Sequence, residues 1–448
     1  MKKFWIVLLS VALIMAFAMP VCAADVKFSG SYLAQGYYDN NRSLLKDGGA
    51  SVGNVWQRLR VQTEFKVQEG LSLTTRFDAM EKIWGASRSA TPTANTSAGN
   101  NAEAENIKFE HVYVTAGLWG GVLKVGYQQQ SAWGLDFGNS GDSNYGPRVS
   151  YQYTAGPWNI FLIWDKYEGS KYYSSLGPAA AGTTYQVDSD AEKPAAAFWY
   201  TWDKGNAGLL VQWIRNATSA VSAPATPDLG YKAERWLFVP YFRAQMGALY
   251  LEGEIDYLTG KTKKYEVAGA GTDVTAEGLA GILTATYDFA PMYAGISLIY
   301  VAGDDAGTSD KDESGNPGGS DFNPCLLLFN YDLARWNGAI GPNATVMSAG
   351  ISNAQILQVF VGVKPMPKLD VKASYTIAQA DKDGTASGWV SKNYGSELDL
   401  TATYKIYDNL SYMVGFAYLW AGDYFKGTTT SQIVDNDYLV THKLTLTF

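Results

Sequence analysis

Cysteine and histidine are almost missing from this chain, with two of each among 448 residues. Cys22 falls in a leader-like N-terminal stretch, so Cys325 is the one thiol of a processed chain and no intramolecular disulfide is available. An unpaired cysteine reads as a small buried apolar residue. His111 and His442 lie in different extended segments, so neither a Ser-His or Cys-His dyad nor a cluster with metal-ligand spacing can be assembled. The expectation is a protein with no catalytic residue, no cofactor and no metal. Also missing beyond residue 24 is any run of ~20 apolar residues, which excludes a spanning helix. A basic block is missing too: 35 Lys and Arg stand against 43 Asp and Glu, a formal charge of −8, which argues against nucleic acid as partner. The aspartates of 303–350 do not follow the Asp-x-Asp-x-Asp-Gly spacing of a calcium loop.

What is present begins at the N-terminus. Lys2 and Lys3 precede an apolar run from Phe4 to Ala18, and small residues lead to Asp25. This is the layout of a secretory signal peptide over residues 1–24, cleaved after Ala23 or Ala24. Its loss takes the formal charge from −8 to −10, because only Lys2 and Lys3 go with it. At the other end, Tyr438, Val440, Leu444, Leu446 and Phe448 share one face, and Leu439, Thr441, Lys443, Thr445 and Thr447 share the other. A two-residue period means an extended strand with unlike faces. Ending on an aromatic, it resembles the closing strand of a bacterial outer-membrane β-barrel, with Phe448 as the membrane-insertion signal.

The same alternation recurs along residues 25–448, which read as one domain. Val55, Leu59, Val61, Phe65 and Val67 alternate with polar neighbours, Gln68-Glu69-Gly70 reverses the chain, and Leu71, Leu73, Thr75 and Phe77 continue. Further tight turns fall at 117–121, 154–157, 203–206, 245–247, 288–291, 364–367 and 407–409, built from the Gly, Pro, Asn and Asp that sharp reversals need. Between them lie longer polar connections near 39–52, 85–106, 129–147, 168–193, 216–232, 259–275, 303–350, 380–395 and 422–436. Alternating short turns and long loops predict an all-β, transmembrane, antiparallel up-and-down barrel of about eighteen strands, with sixteen the smaller count. A barrel that size leaves an aqueous channel. Trp119, Trp158, Tyr293, Tyr412, Tyr418 and Trp420 lie near strand ends, where an interfacial girdle is expected.

If the apolar faces meet lipid, the alternate positions line a lumen. The second and third strands then contribute Arg58, Arg60 and Arg76 as basic lining, with Glu64 and Asp78; a plain pairing of Arg60 with Asp78 across the hairpin is the competing reading. The eleventh strand turns Glu252, Glu254 and Asp256 inward. Nine strands separate the second from the eleventh, so arginines and acids fall on opposite walls, where their field would bias which ions enter. Trp56 beside Arg58 is the one inward aromatic that suggests a sugar path. His442 falls on the outward face. The stretch 303–350 turns apolar at Cys325–Phe329 and Leu333–Trp336, so it either folds into the pore, caps the mouth or extends the wall.

Tyr394–Tyr404 and Leu410–Tyr424 are similar to the C-terminal strands of porin-like barrels in the alginate-export type family, and Thr75–Trp84 resembles the third strand of proteobacterial porins. The resemblance implies an eighteen-strand channel in the outer membrane of a Gram-negative bacterium, without naming the cargo. The inferred inward charges nearly balance, which speaks against a polyanion such as alginate. The leading expectation is passive diffusion of small hydrophilic solutes and ions. A substrate-selective channel or exporter for sugars or organic anions comes next, and a non-channel barrel (adhesin or structural protein) third. Expected partners are outer-membrane lipids, small hydrophilic solutes, and periplasmic chaperones with the barrel-assembly machinery. Monomer and homotrimer both stay open.

Overall fold

A computed structural model describes residues 25–46, 51–85, 107–139, 144–168, 190–220, 230–265, 269, 271–315, 321–341, 351–383 and 389–448. The expected signal peptide, residues 1–24, lies outside them. Eighteen long strands form the wall. They are β1 Asp25–Asp39, β2 Val52–Gln68, β3 Leu71–Ile83, β4 Ile107–Leu118, β5 Gly121–Gln129 and β6 Tyr145–Ala155. Next come β7 Trp158–Glu168, β8 Ala191–Trp202, β9 Gly205–Asn216, β10 Tyr231–Met246, β11 Leu249–Tyr265 and β12 Val274–Phe289. The last are β13 Met292–Val301, β14 Ala354–Met366, β15 Leu369–Gln379, β16 Asn393–Tyr407, β17 Leu410–Ala421 and β18 Asp437–Thr447. Each pairs antiparallel with its chain neighbours, and a two-residue segment, Lys311–Asp312, adds a parallel pairing at the loop end of β12. The count is eighteen rather than sixteen.

Closure is carried by β1 and β18, registered from Ser31 against Thr447 to Asp39 against Leu439. Phe448 extends the ladder, exchanging backbone hydrogen bonds of 2.8 and 3.1 Å with Gly30. A closed ladder leaves no sheet edge, the condition for burying a sheet in hydrocarbon. At one rim the strands reverse through two-residue turns, as the sequence predicts. Gly70 and Gly120 take φ of +76° and +77° there, which favours a residue without a Cβ.

The two faces separate as the alternation requires. Val112, Val114, Ile160, Leu162, Ile296, Leu298, Val359 and Val361 are exposed on the outside. Trp119, Trp158, Tyr412 and Trp420 are also exposed, which suits an aromatic girdle. His442 packs outward over Gly36, where a Cβ would stand 2.3 Å from its Nε2, so the glycine makes room for the ring. Polar residues such as Asp165, Thr376 and Glu397 point inward and are almost fully buried.

That inner burial has a cause. The long connection between β13 and β14 folds into the barrel. Leu327, Leu328, Phe329 and Leu333 are buried against inward-facing Ile356, Ala378, Tyr394, Ala417, Leu419 and Leu439. A short helix, α1 Tyr331–Asn337, is capped by Asn330, whose side chain accepts from the Leu333 N–H at 2.9 Å. Of the three placements open from the sequence, the structure takes the inward one for residues 321–341.

Cys325 sits at the root of this packing, 3% exposed, its Sγ 3.4 Å from Thr376 Oγ1. Burial pushes the thiol well above its ordinary pKa, so the thiolate is scarce. Maleimide should leave the folded protein in detergent unlabelled and modify it fully after denaturation. Labelling at native rates would contradict the packing.

Candidate channel lumen

The inward side of β2 is fixed by Trp56, which stacks on Trp336 of α1 with centroids 4.5 Å apart and planes 14° apart. Arg58 and Arg60 share that side by the two-residue period. Arg60 grips Asp78 with both arms, its Nε and a terminal nitrogen each 2.8 Å from a carboxylate oxygen. Arg76 donates to Glu110 at 3.0 Å, and Arg60 reaches the same oxygen at 3.4 Å. Arg58 lies 3.9 Å from Asp78 and 4.0 Å from Glu81, which also pairs with Arg335 of α1 at 3.1 Å. Sequence reasoning offered Arg60–Asp78 as the plain alternative, and that pairing is present. The cluster is a network of opposed charges, and Trp56 is a packing surface for α1 instead of a sugar platform.

On β11, Glu254 serves the connection between β5 and β6. Its Oε2 accepts the Leu135 N–H at 2.5 Å. Arg243 donates to Gly134 O at 2.8 Å, and Trp133 Nε1 donates to Val239 O at 2.9 Å. Trp133 also meets Trp199 and Tyr241 edge-on, so residues 130–139 are folded inward onto β8–β11. Glu252 accepts from Tyr250 at 3.0 Å and lies 3.9 Å from Arg243. Asp256, 6% exposed, makes no hydrogen bond or salt bridge among the described residues, and its Oδ2 is buried. Arg235 on β10 has a buried Nε without a hydrogen-bond partner, and the Asp312 carboxylate attracts its charge.

The two inward loops meet. Phe137 and Phe322 contact edge to face at 5.8 Å, and the Asp321 N–H donates to Asn139 O at 3.1 Å. The second loop is anchored by Glu397 on β16, whose two oxygens accept the N–H groups of Leu327 and Leu328 at 2.7 Å each. Gln358 adds a 2.7 Å bond to Pro324 O. Cys325, Glu397 and Asp399 bring their ligand atoms close together, but Glu397 is already committed to the loop backbone.

Space remains on the side of β4–β11. A cavity of about 410 Å³ is lined by Trp133, Arg148, Lys193, Arg235, Glu254 and Asp256, among others. A second of about 250 Å³ is lined by His111, Lys124, Gln128 and Arg148. Arg148 is held by Asp165 at 2.6 and 2.8 Å. Arg148, Asp165, Arg235 and residues 130–139 were missed from the sequence; only the inward parity of Arg148 and Arg235 could have signalled them. β2 and β11 are nine strands apart in eighteen, so by strand order they lie on opposite sides of the ring. Arg76 lies five residues beyond the short-turn end of β3, and Glu254 five beyond that of β11, which sets them at similar heights.

Solved structures with this architecture include barrel proteins of Pseudomonas aeruginosa. The outer membrane protein OprD aligns with a TM-score of 0.51 at 13% identity, covering 94% of each chain. This is the fold of an outer-membrane porin. OccK9 (OpdG) aligns with a TM-score of 0.53 at 14% identity, covering 94% of this chain and 99% of that one. OccK2 (OpdF) gives 0.52 at 11%, covering 95% and 98%. No family model matches the sequence, and no curated protein matches it. At such identities the likeness speaks for the porin fold and its eighteen-strand wall, while cargo has to be argued from this chain's own lumen.

Proposed function

We propose that the protein is an outer-membrane channel of a Gram-negative bacterium, passing small hydrophilic solutes and ions by passive diffusion. The observation that carries this reading is a closed eighteen-strand wall, apolar outside, whose charged interior keeps open space beside two inward loops. No step of this function requires a cofactor or a catalytic group. The charges of Arg58, Arg60 and Arg76 on one wall and Glu252, Glu254 and Asp256 on the other act as lining that biases ion entry. Outer-membrane lipids meet the belt. Periplasmic chaperones and the barrel-assembly machinery deliver the exported chain, with residues 1–24 as its signal and Phe448 as its insertion cue. Assembly as monomer or trimer leaves the pore within one chain.

A second reading, selection among solutes, is favoured by Asp256, which makes no hydrogen bond or salt bridge among the described residues and lines the same cavity as Arg235. Fixed charges in a narrow passage discriminate by attraction and by desolvation cost. The last strands resemble those of alginate-export type barrels, but a long polyanion would need a basic lumen, and this one is mixed. The refolded protein in a planar bilayer should give discrete conductance steps; electrical silence would overturn the channel reading. Block of the current by monosaccharides or small carboxylates would favour selection, and indifference to both would favour plain diffusion.

A further inference from the structure

The outer wall has a feature that a plain lipid-facing belt does not need. Reading across the ladder, Phe242, Gly253, Leu283, Leu298, Leu357 and Ile377 form one row of outward positions. The row above continues through Ile255, Gly281, Tyr300, Gln355 and Gln379. Gly253 and Gly281 sit diagonally in these rows; the Phe242 ring covers Gly253, where a Cβ would stand 2.7 Å from its Cε1, and the wall is dented at Gly281. The resulting groove measures about 990 Å³. Its flanks are apolar, and its edge toward the long loops is polar. There Gln379 donates to Gln355 at 2.8 Å, and Gln355 donates to Asp381 at 3.0 Å. Lys392 stands just beyond, exposed, its Nζ donating to Asp381 O at 2.8 Å.

We propose that this groove binds one glycolipid of the outer leaflet, its acyl chain in the dent and its hydroxyl, amide and phosphate groups at Gln355, Gln379 and Lys392. The assignment rests on the membrane reading above. Water gains nothing from an apolar groove, and an empty one forfeits dispersion contacts, so at bilayer depth an acyl chain fills it. The groove is continuous with the lipid-facing belt, whose next row holds the exposed Ile296, Val359 and Tyr375, and this marks lipid as its occupant. Carboxamides are costly in hydrocarbon, so the glutamine pair marks where head groups begin. Carboxamides with spare donors and acceptors suit sugar hydroxyls and amide-linked chains, and the adjacent ammonium suits a phosphate.

The test uses protein refolded lipid-free into detergent and mixed with deep-rough lipopolysaccharide or with phosphatidylethanolamine, read by native mass spectrometry. Wild type should retain one lipopolysaccharide under activation that strips phosphatidylethanolamine. Gly281→Leu fills the dent, since a Cβ there meets Glu254 O at 3.3 Å and Ile255 Cγ1 at 3.7 Å, an approach that small shifts relieve. It should lower the bound fraction about tenfold, and Gln355→Ala with Gln379→Ala should lower it less. Single-channel conductance of all variants should match wild type, so a failed lipid result leaves the channel reading standing. Equal retention by Gly281→Leu, equal retention of phosphatidylethanolamine, or dimers that Gly281→Leu abolishes would each overturn the proposal.

Discussion

Excising residues 321–341 and joining the ends with a short Gly-Ser linker should raise single-channel conductance severalfold. An eighteen-strand wall encloses a water-filled lumen when nothing occupies it. Here Leu327, Leu328, Phe329 and Leu333 fill the side lined by β14–β18, and α1 lies against Trp56 of β2. The wall does not depend on the loop for its ladder, because β13 and β14 pair directly from Met292–Val363 to Val301–Ala354. Glu397→Ala tests the same point without a deletion. It removes both acceptors for the Leu327 and Leu328 N–H groups. Leaving two buried N–H groups without an acceptor costs about 1–3 kcal/mol each, so the loop should detach part of the time and the current should flicker between two levels. Unchanged conductance in both variants would mean that ions pass entirely along β4–β11 and that the inward loop borders no conducting path.

The wall was legible in the sequence because each of its signals is local. Two-residue reversals need residues such as Gly70 and Gly120, and a strand with one greasy face shows its period within ten residues. The inner architecture was not legible, and the reason is distance along the chain. Leu135 finds Glu254 across 119 residues, and Leu327 finds Glu397 across 70. Nothing near Leu135 announces that an acid on β11 will accept its N–H. The apolar stretch at Cys325–Phe329 revealed that something must be covered, but not by what. Arg58, Arg60 and Arg76 show the same limit. Parity placed them inside, and the hairpin offered Asp78, yet Glu110 becomes a partner only once β3 and β4 pair across residues 84–106.

Replacing Arg58, Arg60 and Arg76 together by serine should shift the reversal potential in a salt gradient toward cations, and it should also cost stability. In the native cluster each arginine is close to an acid, so the field that reaches a passing ion is small and the wild-type preference is weak. Without the guanidinium groups, Asp78 and Glu110 stay behind at 3% and 4% exposure, and the lumen loses three positive charges. Stranding one partner of a buried pair costs about 3–5 kcal/mol, so the triple variant should unfold at lower denaturant concentration than wild type. Asp256→Asn is the opposing probe. Asp256 holds no loop and pairs with no side chain among the described residues, so its neutralisation should move the reversal potential toward anions at unchanged conductance. Glu254→Ala should differ from it, because it also removes the acceptor that ties down Leu135, and a looser loop changes the size of the current as well as its selectivity. Identical reversal potentials in wild type, the arginine triple and Asp256→Asn would show that these walls do not border the ion path.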